Sequence, residues 1–216
     1  MDKFSQRRLE LVKRAAVVFR QRGYYGSTLE LIARSARIPK SNLYYYFKDK
    51  REILYAFHNY ATDFFLETIE KVKITSDSPV EQLHELLASF IANSLIELHG
   101  AVLNTTLEAL SVAQRRKIIA KRDRVEKAIR HIVQTGMERG VFQPGDPKLV
   151  TFAMLGAVSW IPIWFKPRGS SSPAEIARTF ADYLTPKILY QSGDEHEGGG
   201  VSEAGDSFLT SNRQIV

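Results

Sequence analysis

The spacing of the apolar residues constrains the fold of this chain most strongly. They recur every three or four positions almost throughout, as in Leu9, Val12, Ala16 and Phe19, and this spacing places them on one face of a helix. The sequence lacks runs of strict apolar–polar alternation and lacks hairpin turns between β-branched runs. It therefore predicts an all-α protein of about nine helices.

Charge divides the chain into three parts. Residues 1–52 hold 13 basic and 5 acidic residues, a net charge of +8, whereas residues 53–190 carry +2 and residues 191–216 carry −4. A basic front on a near-neutral body indicates a polyanionic partner contacted by one end, and a solvated basic face is the alternative. The last part is acidic and rich in Gly and Ser, so we expect it to be disordered.

Signatures of catalysis and of metal binding are missing from the sequence. Because it has no cysteine, disulfides, thiolate nucleophiles and cysteine-ligated metals are excluded. The five histidines are scattered, and neither an HExxH pair, nor Gly-x-Ser-x-Gly, nor a glycine-rich phosphate loop occurs. We therefore expect no enzyme activity, no metal and no cofactor.

The most apolar stretch, residues 149–165, bears on a possible membrane association. It is interrupted by Pro162, and the N-terminus has no uninterrupted apolar segment of the signal-peptide type. We interpret the stretch as a buried helix rather than a membrane span. The expectation is a cytoplasmic protein without a membrane partner.

Residues 27–47, STLELIARSARIPKSNLYYYF, have the pattern of two short helices joined by a turn. Ser27 and Glu30 fit a capping box that opens the first helix, and Pro39 opens the second. This is the spacing of a helix-turn-helix, whose second helix presents its first residues to the major groove. The residues left facing outward at that position are Lys40, Ser41, Asn42, Tyr45 and Tyr46.

These outward side chains suit DNA. Lysine can reach the acceptors of guanine, asparagine can bridge adenine, and serine can contact several bases. The alternative for Tyr44, Tyr45 and Tyr46 is core packing. Successive helical residues point about 100° apart, so at least one of the three tyrosines must be exposed.

The segment IARSARIPKSNLYYYFKDKREIL resembles the signature of TetR-family transcriptional regulators, and the resemblance covers about residues 8–56. It implies base contacts from Lys40, Ser41, Asn42 and Tyr45. It also implies contacts to DNA phosphates from Ser27, Thr28, Tyr44, Tyr46 and Lys50. Two positions depart from the family pattern: Tyr46 stands where histidine is common, and Arg37 stands where the turn usually has glycine. Since glycine adopts a positive φ freely and arginine does so only at an energetic cost, a strained or altered turn is predicted.

The segments MERGVF, DPKLV and GAVSWIPIWFKPRGSSSPAEIARTFADYL resemble, more weakly, regulators of fatty-acid, aromatic-acid and steroid-ring catabolism in that family. Several of these respond to acyl-CoA thioesters. The resemblance implies a homodimer held by the last two helices and a near-palindromic double-stranded DNA operator. It also implies a small-molecule effector, with an acyl-CoA as the first candidate.

We expect the effector to bind in an apolar cavity among the fourth to eighth of the predicted helices, because such cavities are the usual ligand sites. The candidate lining residues, each with core packing as its alternative, are Phe64, Phe65, Phe90, Leu103, Asn104, Leu107, Trp160 and Trp164. Trp160 and Trp164 lie one turn apart on one helical face, so a dimer interface is a further interpretation of this pair.

Together these features predict three regions. They are a helix-turn-helix DNA-binding domain at 1–50, a ligand-binding and dimerisation domain at 51–190, and a disordered acidic tail at 191–216. The predicted function is a ligand-responsive transcriptional regulator, most simply a repressor released by an apolar or acyl-CoA-type effector. The alternative is a helical enzyme or scaffold whose basic face is incidental.

Overall fold

The computed structural model describes residues 2–98 and 107–185, and within these ranges the protein is all helical, without strands. The helices are α1 (Lys3–Arg22), α2 (Leu29–Ser35), α3 (Lys40–Tyr46), α4 (Lys50–Thr75), α5 (Pro79–Ile96), α6 (Val112–Glu138), α7 (Pro147–Trp164) and α8 (Pro173–Leu184). A 3₁₀ turn, Leu107–Ala109, precedes α6. The all-α prediction is confirmed, and the expected nine helices correspond to eight α-helices and this turn in the described part. The predicted acidic tail, 191–216, lies outside the described residues.

Side-chain caps set most of the helix starts. Ser78, Ser111, Asp146 and Ser172 each accept a hydrogen bond from a backbone N–H in the first turn of α5, α6, α7 and α8. Each cap satisfies a donor that the helix itself leaves unpaired, and replacing such a residue by alanine typically costs about 1 kcal/mol. These caps fix where the connecting loops end.

The predicted capping box at Ser27 is wrong. Thr28 is the N-cap of α2, and its hydroxyl accepts from the Leu31 N–H at 3.2 Å. The Ser27 side chain is buried, and its hydroxyl donates to the Gly23 carbonyl oxygen at 2.5 Å. Because that hydroxyl already serves the turn between α1 and α2, the neighbouring threonine caps the helix.

Two hydrophobic cores lie one after the other along α4. The first joins α1, α2 and α3 to the first half of α4, with Leu11, Ile32, Leu43 and Phe57 among its members. The second joins the rest of α4, from Phe65 onwards, to α5, α6, α7 and α8. One continuous 26-residue helix therefore contributes to both cores, and a shift in one core can reach the other through it.

The turn between α2 and α3 carries the strain that the sequence predicts. Arg37 has a φ of 55°, and it is the one non-glycine residue with positive φ in the described part of the chain. The left-handed conformation places Cβ close to the following carbonyl oxygen and costs a non-glycine residue about 1–2 kcal/mol. The prediction of a strained turn at this position is confirmed.

Two side chains of α1 tie the N-terminal helices to the far ends of the body helices. Arg20 donates to the carbonyl oxygen of Phe165, the C-cap of α7, and its guanidinium lies 5.3 Å from the centre of the Phe165 ring. Lys13 pairs with Glu97, the C-cap of α5. The ends of α5 and α7 are thus fastened to α1 directly, in addition to the connection through α4.

Helix α7 is apolar yet largely exposed, which corrects the prediction that it is a buried helix. An exposed stripe runs along it at helical spacing through Leu149, Phe152, Trp160 and Ile163, and Trp160 is 62% exposed. By length and composition α7 is the one described helix that could cross a membrane, with a mean hydropathy of 1.2 over 18 residues. A single helix of this kind is weak evidence for a membrane span, since a helix that packs against another chain has the same composition.

Candidate DNA-binding surface and effector cavity

The outer face of α3 is polar and aromatic. Leu43 and Phe47 anchor the helix in the first core and leave the opposite face exposed. The residues of the exposed face are Lys40, Ser41, Asn42, Tyr44 and Tyr45. Because seven residues make about two turns, this face presents a compact patch that fits the width of a major groove.

The three consecutive tyrosines have different surroundings. Tyr45 is 73% exposed and Tyr44 is also exposed, whereas Tyr46 is half-buried and stacks on Phe4 with ring centres 5.0 Å apart. The prediction that at least one tyrosine is exposed is confirmed. Phe4, near the start of α1, also meets the edge of Tyr45, so the N-terminal turn of α1 supports this side of the patch.

Lys40 has a partner within the protein. Its ammonium pairs with the Glu30 carboxylate of α2, and it lies 5.7 Å from the centre of the Tyr44 ring. The hydrogen bond from Lys40 lowers the pKa of Glu30 to about 2. To read a guanine, Lys40 must exchange this exposed carboxylate for the base, and the energy lost is small because exposed ion pairs are weak.

The predicted phosphate contacts divide into accessible and inaccessible groups. Thr28 and Tyr44 are exposed. Ser27 is buried with its hydroxyl occupied, so the expectation that its side chain reaches a phosphate does not fit its position. Lys50 donates to the carbonyl oxygens of Tyr24 at 2.7 Å and Ser27 at 2.6 Å, and burial lowers its pKa. In the free protein Lys50 therefore holds the α1–α2 turn against α4.

A cavity of about 210 Å³ lies in the body, where α4, α5, α6 and α7 meet. Most of its wall is apolar, with Phe65 and Phe90 stacked on each other at one side. Its full lining is His58, Ala61, Thr62, Phe65, Phe90, Ser94, Arg122, Val125, Glu126, Leu155, Val158, Ser159 and Pro162. The cavity is smaller than the roughly 300–1,000 Å³ of pockets that enclose a drug-sized ligand.

The polar groups of the cavity gather on α4 and α6. His58 is only 1% exposed, and its Nδ1 lies 3.5 Å from a guanidinium nitrogen of Arg122. Burial, together with the positive charge of Arg122, lowers the pKa of His58 to about 3. The imidazole is therefore neutral at physiological pH. Glu126, one turn beyond Arg122, places a carboxylate in the same lining.

Only part of the predicted pocket lines this cavity. Phe65 and Phe90 do, whereas Phe64 lines a separate outer groove between α1 and α4, and Leu107 packs against the first core. Trp160 and Trp164 lie on the exposed side of α7, and Trp164 stacks on Phe180 of α8. The predicted cavity role of these four residues is corrected accordingly. Leu103 and Asn104 lie outside the described residues.

The polar lining was missed at the sequence level. His58, Thr62 and Phe65 have the i, i+4, i+7 spacing of one face of α4, and Arg122 and Glu126 share a face of α6. This spacing alone does not distinguish a cavity wall from a solvated face. The signal becomes visible only when the tertiary packing brings His58 and Arg122, 64 positions apart, into contact.

Within residues 2–98 and 107–185, no three histidine or acidic side chains gather as a group that could hold a metal ion. The cavity polar groups are instead a neutral imidazole, one guanidinium, one carboxylate and hydroxyls. This set can hold a ligand by hydrogen bonds along an apolar wall. It offers no activated nucleophile within the lining.

Comparison with known proteins identifies both halves. Residues 11–57 match the model of bacterial regulatory proteins of the tetR family, and residues 76–188 match the tetracyclin repressor-like C-terminal domain. The HTH-type transcriptional repressor KstR2 of Mycolicibacterium smegmatis is 26% identical over 195 residues, which cover 89% of this chain and 95% of that protein.

Solved structures agree with this assignment. The TetR family regulator PfmR from Thermus thermophilus has a TM-score of 0.71 and 29% identity, covering 82% of this chain and 97% of that one. AibR, crystallised with isovaleryl coenzyme A and operator DNA, has a TM-score of 0.70 and 25% identity, covering 84% and 98%. With the second family model alone matching more than half of the sequence, the chain belongs to the TetR family and is a DNA-binding transcriptional regulator.

Proposed function

We propose that this protein is a homodimeric repressor whose operator affinity falls when an apolar effector enters the α4–α7 cavity. The observation that carries the proposal is the position of α4. This helix begins beside α3 and contributes His58, Thr62 and Phe65 to the cavity wall. A ligand that moves the inner face of α4 also moves the helix-turn-helix.

The DNA-binding part of the proposal rests on the α3 patch. We propose that Lys40, Ser41, Asn42 and Tyr45 contact bases. Thr28, Tyr44 and Tyr46 are proposed to contact phosphates, and Lys50 to position the α1–α2 turn. The basic charge of residues 1–52 supports this assignment, since phosphate neutralisation supplies much of the affinity for DNA.

The dimer part of the proposal rests on the exposed stripe of α7. Leu149, Phe152, Trp160 and Ile163 form an apolar surface of the kind that marks an interaction site. Gly156, in the middle of the stripe, has open space where a Cβ would lie, so a second helix can approach closely. Helix α8 adds Tyr183, which is also exposed, beside this surface. Two copies then place two α3 helices on a near-palindromic operator.

The effector class follows from the cavity and from the relative AibR. Its crystal structure contains isovaleryl coenzyme A and operator DNA, which supports an acyl-CoA as a candidate effector here. A whole coenzyme A ester exceeds a cavity of about 210 Å³. We propose that the acyl end enters the cavity and that the phosphates meet basic residues at the start of α6, namely Arg115, Arg116 and Lys117.

We propose the three-region division of the chain in a modified form, with the DNA-binding and body parts meeting within α4 rather than at residue 50. The first core takes in α4 residues as far as Ala61, which supports this position. We further propose that the protein acts in the cytoplasm and has no enzyme activity. The relatives are transcriptional regulators, which favours this over the helical enzyme or scaffold.

The test is a binding-site selection with random DNA followed by affinity measurements at two salt concentrations. A sequence-selective interaction that weakens steeply with salt is the expected result. A thermal-shift screen of acyl-CoAs, free fatty acids and aromatic acids then supplies candidate effectors for operator release. Binding without sequence preference would refute the DNA-binding part, and stabilising compounds that leave operator affinity unchanged would refute the switch.

A further inference from the structure

Helix α3 does not fix its own orientation. It has seven residues, and Pro39, at its N-cap, contributes no side-chain hydrogen bond. A helix this short leaves most of its end groups without intrahelical partners and is marginal in isolation. Leu43 is its single buried residue. The directions of its outer side chains therefore depend on the elements that pack against α3.

The first two turns of α1 hold the C-terminal end of α3. The guanidinium of Arg8 lies 4.6 Å from the centre of the Phe47 ring, and its Nε donates to the carbonyl oxygen of Tyr46 at 3.5 Å. Arg8 also pairs with Glu52 of α4 at 3.2 Å, and Glu52 accepts the N–H of Lys48 at 2.8 Å. These contacts hold the backbone where α3 ends, whereas its outer aromatic rings have a separate support.

The ring of Phe4 provides that support. It stacks on Tyr46 with ring centres 5.0 Å apart and an interplanar angle of 26°, and it meets Tyr45 edge-on at 5.6 Å and 78°. Tyr45 and Tyr46 also meet edge to face at 5.0 Å. Because aromatic pairs favour these geometries, three rings in mutual contact restrict the rotamer of Tyr45. Tyr45 is nevertheless 73% exposed, so most of it stays accessible to DNA.

Phe4 differs from the core residues of α1, such as Leu11 and Phe19, because it is 44% exposed. A side chain this exposed gains little from burial, so its removal costs the core little. Its contribution is to fix a tyrosine before DNA arrives. A side chain that is already ordered loses less entropy on binding, and this difference is worth roughly two- to tenfold in affinity.

We propose that Phe4 is a positioning residue for base recognition, and that its ring holds Tyr45 in the conformation that enters the major groove. This inference rests on the base contact proposed for Tyr45, and it adds a determinant of operator choice that lies on α1, outside α3. Because Phe4 acts through Tyr45, loss of its ring should relax selectivity only at the base pairs that Tyr45 reads. A merely structural Phe4 would weaken binding to every sequence.

A double-mutant cycle on the full-length protein tests this coupling. Dissociation constants are measured for the selected operator and its single-base variants with wild type, Phe4→Ala, Tyr45→Ala and the double variant. The base pairs at which Tyr45→Ala loses discrimination are those that Tyr45 reads. We expect Phe4→Ala to lose roughly two- to tenfold in discrimination there, none at the base pair read by Asn42, and nothing further in the Tyr45→Ala background.

Phe4→Tyr is the matched control, because it retains the ring and should keep the discrimination of wild type. If Phe4→Ala does not fold, Phe4→Leu replaces it, since leucine keeps an apolar side chain but has no ring to stack. The DNA-free protein gives an independent readout by NMR. The ring-proton resonances of Tyr45 should shift in Phe4→Ala or Phe4→Leu and stay close to their wild-type positions in Phe4→Tyr.

Three results would overturn this inference alone. They are an equal loss of affinity on every sequence, the same loss of discrimination with and without Tyr45, and unchanged discrimination in Phe4→Ala or its leucine replacement. In each case wild-type protein still selects its operator, so the proposed function stands. A wild-type protein without sequence preference refutes the proposed function, and full discrimination by Tyr45→Ala refutes its base contact. Either result also removes the positioning role of Phe4.

Discussion

Asn42 lies on the exposed face of α3, in its first turn, where a side chain can reach a base edge. We predict that Asn42→Ala weakens operator binding by about 1–3 kcal/mol and relaxes sequence choice at one base position. The measurement is the dissociation constant for the operator and for its single-base variants. Equal weakening on every sequence would show that Asn42 does not read a base.

Lys48 provides the matched control, because it is exposed just beyond α3 but lies outside the base-reading patch. We predict that Lys48→Ala weakens binding to all sequences alike and lowers the slope of log affinity against log salt by about 1. Lys50 is unsuitable for this purpose, since its ammonium is bonded to two backbone carbonyls of the α1–α2 turn. Replacing it would disturb the fold as well as the charge.

Arg37 gives a prediction of stability. A φ of 55° is costly for arginine but not for glycine. Glycine also makes the unfolded chain more flexible, which offsets part of the gain. Arg37→Gly should therefore raise the free energy of unfolding by about 1 kcal/mol. Arg37→Ala is the control, because alanine removes the charge but retains the strain. The free energy of unfolding is measured by chemical denaturation. An equal increase in Arg37→Gly and Arg37→Ala would show that the loss of charge, and not the relief of strain, stabilises the protein.

His58 gives a prediction of pH dependence. Its pKa is about 3 in the folded protein and about 6.5 in the unfolded chain. Between these values the unfolded state binds the additional proton, so stability is full above about pH 6.5 and is lost as the pH falls towards 3. We predict that wild-type protein loses about 1–2 kcal/mol between pH 7 and pH 5 through this group. H58Q should lack this part of the loss in urea unfolding at the two pH values.

At the scale of elements, the contact between Arg20 and the residue after α7 gives the proposed switch a second connection between the cavity and the N-terminal helices. Helix α7 lines the cavity with Leu155, Val158 and Pro162. The residue that follows it, Phe165, accepts a hydrogen bond from Arg20 of α1 through its carbonyl oxygen. An effector that displaces α7 therefore also acts on α1, alongside its action on α4. Coupling between two sites requires such an element whose position both sites influence.

We predict that Arg20→Met reduces the effect of an effector on operator affinity by roughly tenfold, because coupling energies are about 1–3 kcal/mol. Effector affinity of the DNA-free protein should stay unchanged. Arg7→Met is the control, since Arg7 lies on the same helix and pairs only locally with Glu10 in the described structure. The readout is operator affinity with and without effector. Unchanged coupling in Arg20→Met would leave α4 as the sole route.

Local elements were predictable from the sequence, and long-range ones were not. The α2–α3 spacing and the exposed side of α3 follow from turn residues and apolar spacing within twenty residues. The cap of α2 was assigned one residue too early, because Ser27 and Thr28 both fit the local pattern and only the buried bond of Ser27 to Gly23 decides between them.

The environments of the α7 stripe and of the cavity also could not be predicted from local sequence. Trp160 and Trp164 lie on an apolar face, but sequence spacing cannot separate a face that packs inside the chain from one that packs against another chain. The contact of His58 with Arg122 joins helices distant in sequence. A cavity could be expected from the apolar composition of the body, whereas its polar lining is defined only by the packing of four helices.

At the scale of the whole molecule, the exposed stripe of α7 predicts the oligomeric state. Trp160→Lys places a charge within that stripe, at its most exposed aromatic side chain but one turn beyond Gly156, so we predict a monomer at micromolar concentration. Operator affinity should fall by at least about a hundredfold, since one helix-turn-helix alone has too small an interface. Glu70→Lys, an exposed change on α4, is the control and should remain dimeric. Sedimentation velocity distinguishes monomer from dimer. If the Trp160→Lys protein remains dimeric, the dimer interface does not include the α7 stripe.

The central claim is that filling the α4–α7 cavity releases the operator. Its most direct test is operator affinity, with and without the effectors selected by thermal shift, for wild-type protein and for Ser94→Phe, which places a ring in the cavity at a buried lining position. We predict that effector weakens wild-type binding roughly 10- to 100-fold, and that Ser94→Phe, whose ring already fills part of the cavity, binds the operator more weakly without effector and responds little to it. A full effector response of Ser94→Phe, or no release of wild type by any stabilising compound, would contradict this mechanism.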